Sequence, residues 1–151
     1  MESILNMPEE NNTAFAEGEQ WLEDRGFNLR AVLDICALPK DLAAVWDRAG
    51  ISRAPSERLV LLGMGGAGLW EWMNAQGLSD ADPFDEVSRR AALEVSERFW
   101  GDSSPRVLYP GDALIPLQQL GRWAGWSVPS PLGLDISPVY GPWFAFRAAF
   151  L

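Results

Sequence analysis

Three glycines between Arg58 and Met73 have the spacing of a nucleotide-binding turn. Gly63, Gly65 and Gly68 fit G-x-G-x-x-G after the strand-like run RLVLL, where backbone N–H groups and a helix N-terminus could hold a pyrophosphate. A dinucleotide fold also needs an acidic residue about 20 positions further on, at the end of a second strand. Here that position falls in the helix start SDADPFDE, which no strand precedes. We therefore expect a tight strand-to-helix turn; the alternatives are an unspecific ligand contact and NAD or FAD binding.

Histidine is absent and Cys36 is the single cysteine, which removes many kinds of catalysis. Without imidazole there is no His-based acid–base chemistry, no His-activated nucleophile and no His-ligated zinc or iron. One thiol cannot form an intrachain disulfide or hold an iron–sulfur cluster. Cys36 stands in the apolar run LDICAL, so we predict an inert, buried thiol. Chemistry must come from carboxylates, arginines, tyrosines, backbone groups or a bound cofactor.

The charge balance argues against two classes of partner. The 151 residues include 21 acidic and 12 basic side chains, a net charge of −9, with no run of Lys or Arg. Nucleic acid and anionic membranes both attract local positive charge, so we expect neither. No transmembrane stretch or secretory signal is recognisable, and the default expectation is a cytoplasmic protein. Eight tryptophans suit a core, a flat ligand or a partner surface.

Arg147 is the first candidate for ligand contact near the C-terminus. A strict alternation would place it on one strand face with Trp143, Ala145 and Ala149. An arginine on that face would be costly to bury unpaired. It therefore pairs with a carboxylate such as Asp135, or it meets an anionic ligand in a cleft.

Two further stretches are candidates for the same ligand. In the turn Tyr140-Gly141-Pro142, a glycine beside an aromatic lets a flat molecule approach the backbone, although a plain turn has the same composition. Gln118, Gln119 and Arg122 stand in a predicted helix, where they either serve polar groups of a ligand or face water.

The closing segment AGWSVPSPLGLDISPVYGPWFAFRAAFL carries an ordered series of motifs. It contains Ala124-Gly125, the run LGLDIS, Pro138, Tyr140-Gly141 and Trp143-Phe144-Ala145-x-Arg147. This series resembles the cobalamin-processing proteins of the methylmalonic aciduria cblC type, whose equivalent stretch has the form I-H-P-x-F-G-G-W-F-A-I-R-G. It is more distantly similar to the N-terminal corrinoid domain of epoxyqueuosine reductase. The resemblance extends backwards through RVLYP and the helix start DPFD to about residue 57.

The resemblance implies a flavin-nitroreductase-like α+β layer, with a mixed or antiparallel sheet, packed helices and a broad cleft for a corrinoid. Cobalamin is then the expected cofactor, with FMN as an alternative, and a homodimer or a partner subunit is expected. Arg147 would anchor a thiol cosubstrate, and Asp112 or Tyr140 would give a proton. For Asp112 the alternative is the cap of a helix beginning near Ala113. The expected cofactor contacts are Gln118, Arg122, Ser137, Tyr140, Gly141, Trp143 and Arg147.

This chain departs from that family at several positions. Ser137 replaces the histidine of I-H-P, and Arg122 stands where a further histidine is expected; neither side chain coordinates cobalt as imidazole does. The sequence stops at Leu151, at the end of a predicted strand. We expect that a second copy or another subunit completes the sheet there; otherwise the terminal edge is exposed.

The elements that must position these residues alternate between helix and strand. Residues 1–12 are predicted to be disordered, and 13–151 to form a single α+β domain. The first predicted helix begins at Thr13 and ends at Gly26. The other predicted helices cover 39–50, about ten residues ending at Gly77, 79–101 with a cap at Ser79 or Asp82, and 115–123. Predicted strands cover 27–35, 57–62, 106–110, 134–137 and 143–151.

Two functions follow as expectations. The first is a protein that binds or processes cobalamin, by reductive or thiol-dependent handling of the upper cobalt ligand, which would be an oxidoreductase if it is an enzyme. The alternative is a non-catalytic interaction module that keeps the scaffold and binds a partner through its tryptophans.

Overall fold

The chain folds as an α+β structure, as predicted. The computed structural model describes residues 9–78 and 83–151. Within these residues the elements are α1 (Glu9–Glu23), β1 (Leu29–Leu33), α2 (Lys40–Arg48), β2 (Leu59–Gly65), α3 (Gly68–Ala75), α4 (Pro83–Arg98), β3 (Val107–Tyr109), α5 (Leu117–Trp123), β4 (Val128–Pro129), β5 (Asp135–Ile136) and β6 (Phe144–Phe150).

The main sheet has four strands in the order β1-β2-β6-β3, and every neighbouring pair is antiparallel. The short strands β4 and β5 form a separate two-stranded ribbon. The prediction of a sheet with packed helices is therefore confirmed in its antiparallel form. Because β2 runs antiparallel to both neighbours, the glycine turn that follows it does not belong to the parallel sheet of a dinucleotide-binding fold.

Helices cover both faces of the main sheet. One apolar cluster joins the sheet to α1, α3 and α4, with Leu22, Leu69 and Val95 at its centre. The other joins it to α2 and α5 through residues such as Trp46 and Leu120. Because β2 is buried on both faces, neither set of its alternating side chains meets solvent, which explains its unbroken apolar sequence.

The C-terminal strand β6 lies inside the sheet, between β2 and β3. Beyond Phe150 the pairing continues, because Arg106 and Leu151 exchange two backbone hydrogen bonds of 3.0 Å. The expectation of an exposed terminal edge is therefore wrong: the edges of the sheet are β1 and β3. The sequence could not show this, since strand order depends on long-range pairing.

Several predicted boundaries differ from the structure. Helix α1 begins at Glu9, so Thr13 lies inside the helix and does not cap it. No glycine or proline separates these two positions, so nothing in the chain stops the helix at Thr13. Residues 9–12 are thus helical where disorder was predicted, while residues 1–8 and the predicted caps Ser79 and Asp82 lie outside the described residues.

Two predictions about individual side chains are wrong. Cys36 is exposed, because it sits in a 3-10 turn after β1 in which its backbone N–H donates to the Asp34 carboxylate over 3.0 Å. Asp112 does not cap α5, since that helix begins at Leu117 after Pro116, which provides no side-chain cap.

Candidate functional site

The glycine turn and the closing aromatic strand, which are distant in sequence, meet at one cleft. It has a volume of about 420 Å³ and is lined by Met64, Gly66 and Ala67 on one side and by residues 142–145 on the other. The backbone N–H of Gly66 donates to the carbonyl of Trp143 over 2.9 Å, which ties the two sides together. We call this hollow the Trp143 cleft.

The strand-to-helix turn that the sequence predicts forms one side of the cleft. Strand β2 extends through Gly65, which pairs with Phe144, and the chain then turns at Gly66 with a φ of 75°. Only glycine adopts that conformation without strain. Helix α3 starts two residues later at Gly68. Gly66 therefore reverses the chain, and its open surface becomes part of the lining.

Tyr140 lies beside this turn and is held from two directions. Its ring packs against Gly65, where a Cβ atom would overlap the ring. Its hydroxyl accepts a hydrogen bond of 3.1 Å from the Asn28 side-chain amide. The same amide donates to the Gly65 carbonyl over 2.9 Å, and the Asn28 side-chain oxygen accepts from the Gly65 N–H over 2.8 Å. No pattern in the sequence around Asn28 indicates that it holds Gly65 and Tyr140.

Ser137 and Gly141 close the bend that carries Tyr140. Their backbones exchange two hydrogen bonds of 2.8 Å. The buried Ser137 hydroxyl accepts from the backbone N–H groups of Val139 and Tyr140, over 3.2 and 3.1 Å. Both predicted site residues are thus engaged within the protein, and their hydrogen bonds close the bend next to the cleft.

The aromatic residues of the closing strand divide between core and surface. Phe146 stacks on Trp126 at 5.9 Å between ring centroids and packs tightly against Gly121. Trp143, by contrast, is 77% exposed and lines the cleft together with Phe144. The predicted contact residue Trp143 is therefore placed where a ligand can reach it.

Arg122 and Asp135 form an ion pair away from the cleft lining. The guanidinium donates from Nε and Nη2 to the two carboxylate oxygens over 2.9 and 2.7 Å, and the Ser127 hydroxyl donates to the same carboxylate over 3.2 Å. The Arg122 hydrogen bonds hold the pKa of the Asp135 carboxyl below its ordinary value, against the opposing effect of burial. The pair raises the pKa of Arg122 as well. It fastens α5 to the ribbon, so Asp135 is not the partner of Arg147.

Arg147 occupies a bulge of β6. The pairing with β2 shifts between Leu62 and Gly63, so Arg147 is skipped in the register. As a result Ala149 faces the cluster of α2 and α5, while the Arg147 guanidinium lies 4.6 Å from the ring centroid of Phe84 on the opposite face. The predicted common face of Arg147 and Ala149 is wrong, because a bulge reverses the alternation. Among the described residues no carboxylate pairs with Arg147, and its buried Nε has no hydrogen-bond partner.

The remaining predicted residues lie outside the cleft lining. Asp112 is exposed in the turn after β3, and Gln118 is exposed on α5. Of the predicted contact residues, the structure places Trp143 in the cleft lining, while Ser137, Tyr140 and Gly141 lie in the bend that precedes it. It does not bring Asp112, Gln118, Arg122 or Arg147 to that lining.

Residues 9–78 and 83–151 contain neither a cluster of metal ligands nor a membrane-spanning helix. No group of three or more Cys, Asp or Glu side chains there is arranged to hold a metal ion. No helix there is long and apolar enough to cross a membrane. Comparison with profiles of protein families, with curated protein sequences and with solved structures finds no match to this chain.

Proposed function

We propose that this protein binds a flat small molecule in the Trp143 cleft, and that the ligand class is a corrinoid such as cobalamin. The observation that carries the proposal is an open cleft of about 420 Å³ beside the closing strand, with Trp143 77% exposed at its wall. Small-molecule sites have volumes of about 300–1,000 Å³ and mainly apolar linings. The choice of a corrinoid as the ligand class rests on the resemblance of the closing segment to cobalamin-processing proteins.

The chemistry of the lining supports contact by area and stacking. Every lining residue in the described part of the chain is uncharged. Gly66 and Ala67, in the turn before α3, are exposed and leave their backbone accessible to a ligand. The indole of Trp143 offers a large, rigid face at a small cost in conformational entropy. This lining offers no cation to the phosphate of FMN or to the phosphodiester of cobalamin, so either group would have to lie outside the lining.

Cobalt would supply the redox chemistry of any reaction in which the bound corrinoid takes part. The described lining contains neither imidazole nor thiolate to coordinate the cobalt. The chain's own residues would therefore hold and orient the ring. We propose that Arg147 holds an anionic thiol cosubstrate, supported by its half-buried guanidinium, which has no carboxylate partner in the described residues. We propose that the Tyr140 hydroxyl, which accepts from Asn28 and donates to no acceptor among the described residues, gives the proton.

A titration with hydroxocobalamin tests this function. We expect a saturable shift of its visible spectrum, together with saturable quenching of tryptophan fluorescence, for the unaltered chain. Trp143→Ala is expected to weaken binding by about tenfold or more, which corresponds to about 1.4 kcal/mol. Trp70→Ala is the matched control, because Trp70 is 45% exposed but does not line the cleft.

The exposed thiol of Cys36 needs its own control, since a thiolate can coordinate cobalt wherever it lies. Cys36→Ser is expected to leave both the spectral shift and the quenching unchanged. Absence of saturable binding, or equal binding by Trp143→Ala and Trp70→Ala, would contradict the proposal.

A second candidate function is self-association through the β4–β5 ribbon. Val128 pairs with Ile136, and Leu134 alternates with the buried Asp135, so these apolar side chains share the outer face. Leu132 at the tip is 87% exposed. Residues 128–143 contain one charged side chain, Asp135, and it is paired with Arg122. On a chain of net charge −9, this uncharged face is where two copies meet with least repulsion.

Sedimentation equilibrium of the unaltered chain and of Leu132→Asp tests the dimer. We expect a concentration-dependent dimer that the charged variant abolishes. Leu93→Asp, at an exposed position of α4, is the control that should still dimerise. A monomer at all concentrations would contradict this candidate and leave the cleft proposal intact.

A further inference from the structure

A second hollow lies on the surface between the ends of α1 and α3 and the side of α4. It has a volume of about 390 Å³ and shares no lining residue with the Trp143 cleft. We call it the aromatic groove and define it by Trp21, Arg25, Phe27, Trp72, Val87 and Ala91. Phe27 and Ala91 are buried beneath it and give it an apolar floor.

Arg25 is held between the two indoles of the groove. Its guanidinium carbon lies 3.7 Å from the ring centroid of Trp21 and 5.4 Å from that of Trp72. Nη1 donates to the Trp21 carbonyl over 3.1 Å. Guanidinium has five N–H donors, and within the described residues Arg25 uses Nη1 for the Trp21 carbonyl, so other donors remain for a ligand.

Among the described residues, the other charged groups of the groove are paired along α4. Arg90 donates to Glu86 over 3.0 Å, and Glu94 lies 3.9 Å from Arg98. Within the described residues, Arg25 has no carboxylate at ion-pair distance. Burial lowers the pKa of Arg25, an effect opposed by the more distant charge of Glu94, and the group stays cationic.

We propose that the aromatic groove is a second ligand site, which takes a small amphipathic carboxylate with its apolar body on the indoles and its carboxylate on Arg25. A carboxylate matches the planar fork of a guanidinium in two parallel hydrogen bonds. Glu86 and Glu94 on the rim disfavour a ligand with two negative charges, which selects a carboxylate over a phosphate. The apolar floor requires a hydrocarbon or aryl body.

Calorimetric titration with octanoate and with uncharged 1-octanol tests this inference on the full chain. We expect saturable binding of octanoate and binding of 1-octanol that is weaker by about tenfold or more. Arg25→Met keeps the apolar stem and is expected to lower octanoate affinity to that of 1-octanol. Arg48→Met, an exposed position on α2 across the sheet, is the control that leaves both affinities unchanged.

The inference is overturned by absence of saturable octanoate binding, by equal affinities for octanoate and 1-octanol, or by unchanged octanoate affinity in Arg25→Met. Should Arg25→Met not fold, the comparison of the two ligands on the unaltered chain decides alone. Trp143→Ala is expected to retain octanoate binding, so the proposal for the groove and the proposal for the cleft are tested independently.

Discussion

The support beneath the Trp143 cleft and the open wall of the same cleft differ in how their side chains are used. In the support, Asn28, Gly65, Ser137 and Tyr140 are joined by hydrogen bonds and a close ring contact. In the wall, Trp143 leaves most of its surface free. Several polar residues that the sequence offered for ligand binding thus hold the protein together, while the surface left to a ligand is apolar. Changes in the support should alter stability, and changes in the wall should alter binding.

The largest effect is expected from Gly65→Ala in the support. The added Cβ overlaps the Tyr140 ring, so the ring must move and the Asn28 hydrogen bonds are strained. Overpacking typically costs about 1–3 kcal/mol of unfolding free energy, and overlap with a ring that is held by hydrogen bonds should place this loss near the upper end, at about 3 kcal/mol. Denaturant unfolding measures it. Gly68→Ala is the matched control, since its Cβ would meet the Gly26 Cα at 3.6 Å, an ordinary contact. Equal stability of the two variants would show that the ring contact is unimportant.

Asp135→Asn is expected to have the next largest effect, at the tie between α5 and the ribbon. The Arg122 side chain is 40% exposed and can be partly hydrated, so the loss at neutral pH should be about 2 kcal/mol. Asp47→Asn breaks the surface pair with Arg53, in which Asp47 is 59% exposed, and should cost about 0.5 kcal/mol. A smaller loss at Asp135 than at Asp47 would contradict this account.

The same tie predicts a pH dependence. The pKa of Asp135 is lower in the folded chain than its ordinary value of 3.8, chiefly because Arg122 donates to it. Its contribution is therefore complete above the pKa of the unfolded state and is lost as the pH falls through the folded value. Below about pH 4 the stability of the unaltered chain should fall more steeply than that of Asp135→Asn. Parallel profiles would show that the carboxylate makes no such contribution.

A smaller effect is expected from Tyr140→Phe. The ring contact with Gly65 remains, and one hydrogen bond from Asn28 is lost, which should cost about 1 kcal/mol. Thermal unfolding measures the difference. Since the lining keeps its shape, the affinity for hydroxocobalamin should stay within about twofold. A large loss of affinity would show that Tyr140 belongs to the binding surface and not to the support.

The smallest change in stability is expected from Trp143→Ala in the open wall. An exposed side chain with few contacts usually contributes within about 0.5 kcal/mol. Denaturant unfolding of this variant should therefore match that of the unaltered chain. A loss comparable to that of Gly65→Ala would remove the distinction between support and wall.

The local patterns in the sequence predicted much of the fold. The apolar run of β2, the glycine turn and the helix α4 each follow from neighbouring residues, and each is present. The support could not be predicted in this way, because Asn28 is 37 positions from Gly65 and 112 positions from Tyr140. The separation of Arg147 from Ala149 was also unpredictable: one bulge puts Ala149 on the face opposite Arg147 and Phe84, and nothing in the run WFAFRAAFL marks that bulge.

The measurement that tests the central claim most directly is a titration of the isotopically labelled chain with hydroxocobalamin, followed through its indole N–H resonances. The Trp143 resonance, assigned by its loss in Trp143→Phe, should shift saturably with ligand, while that of the buried Trp46 stays in place. A stationary Trp143 resonance at ligand saturation, or a shift no larger than that of Trp46, would contradict a binding site at this cleft.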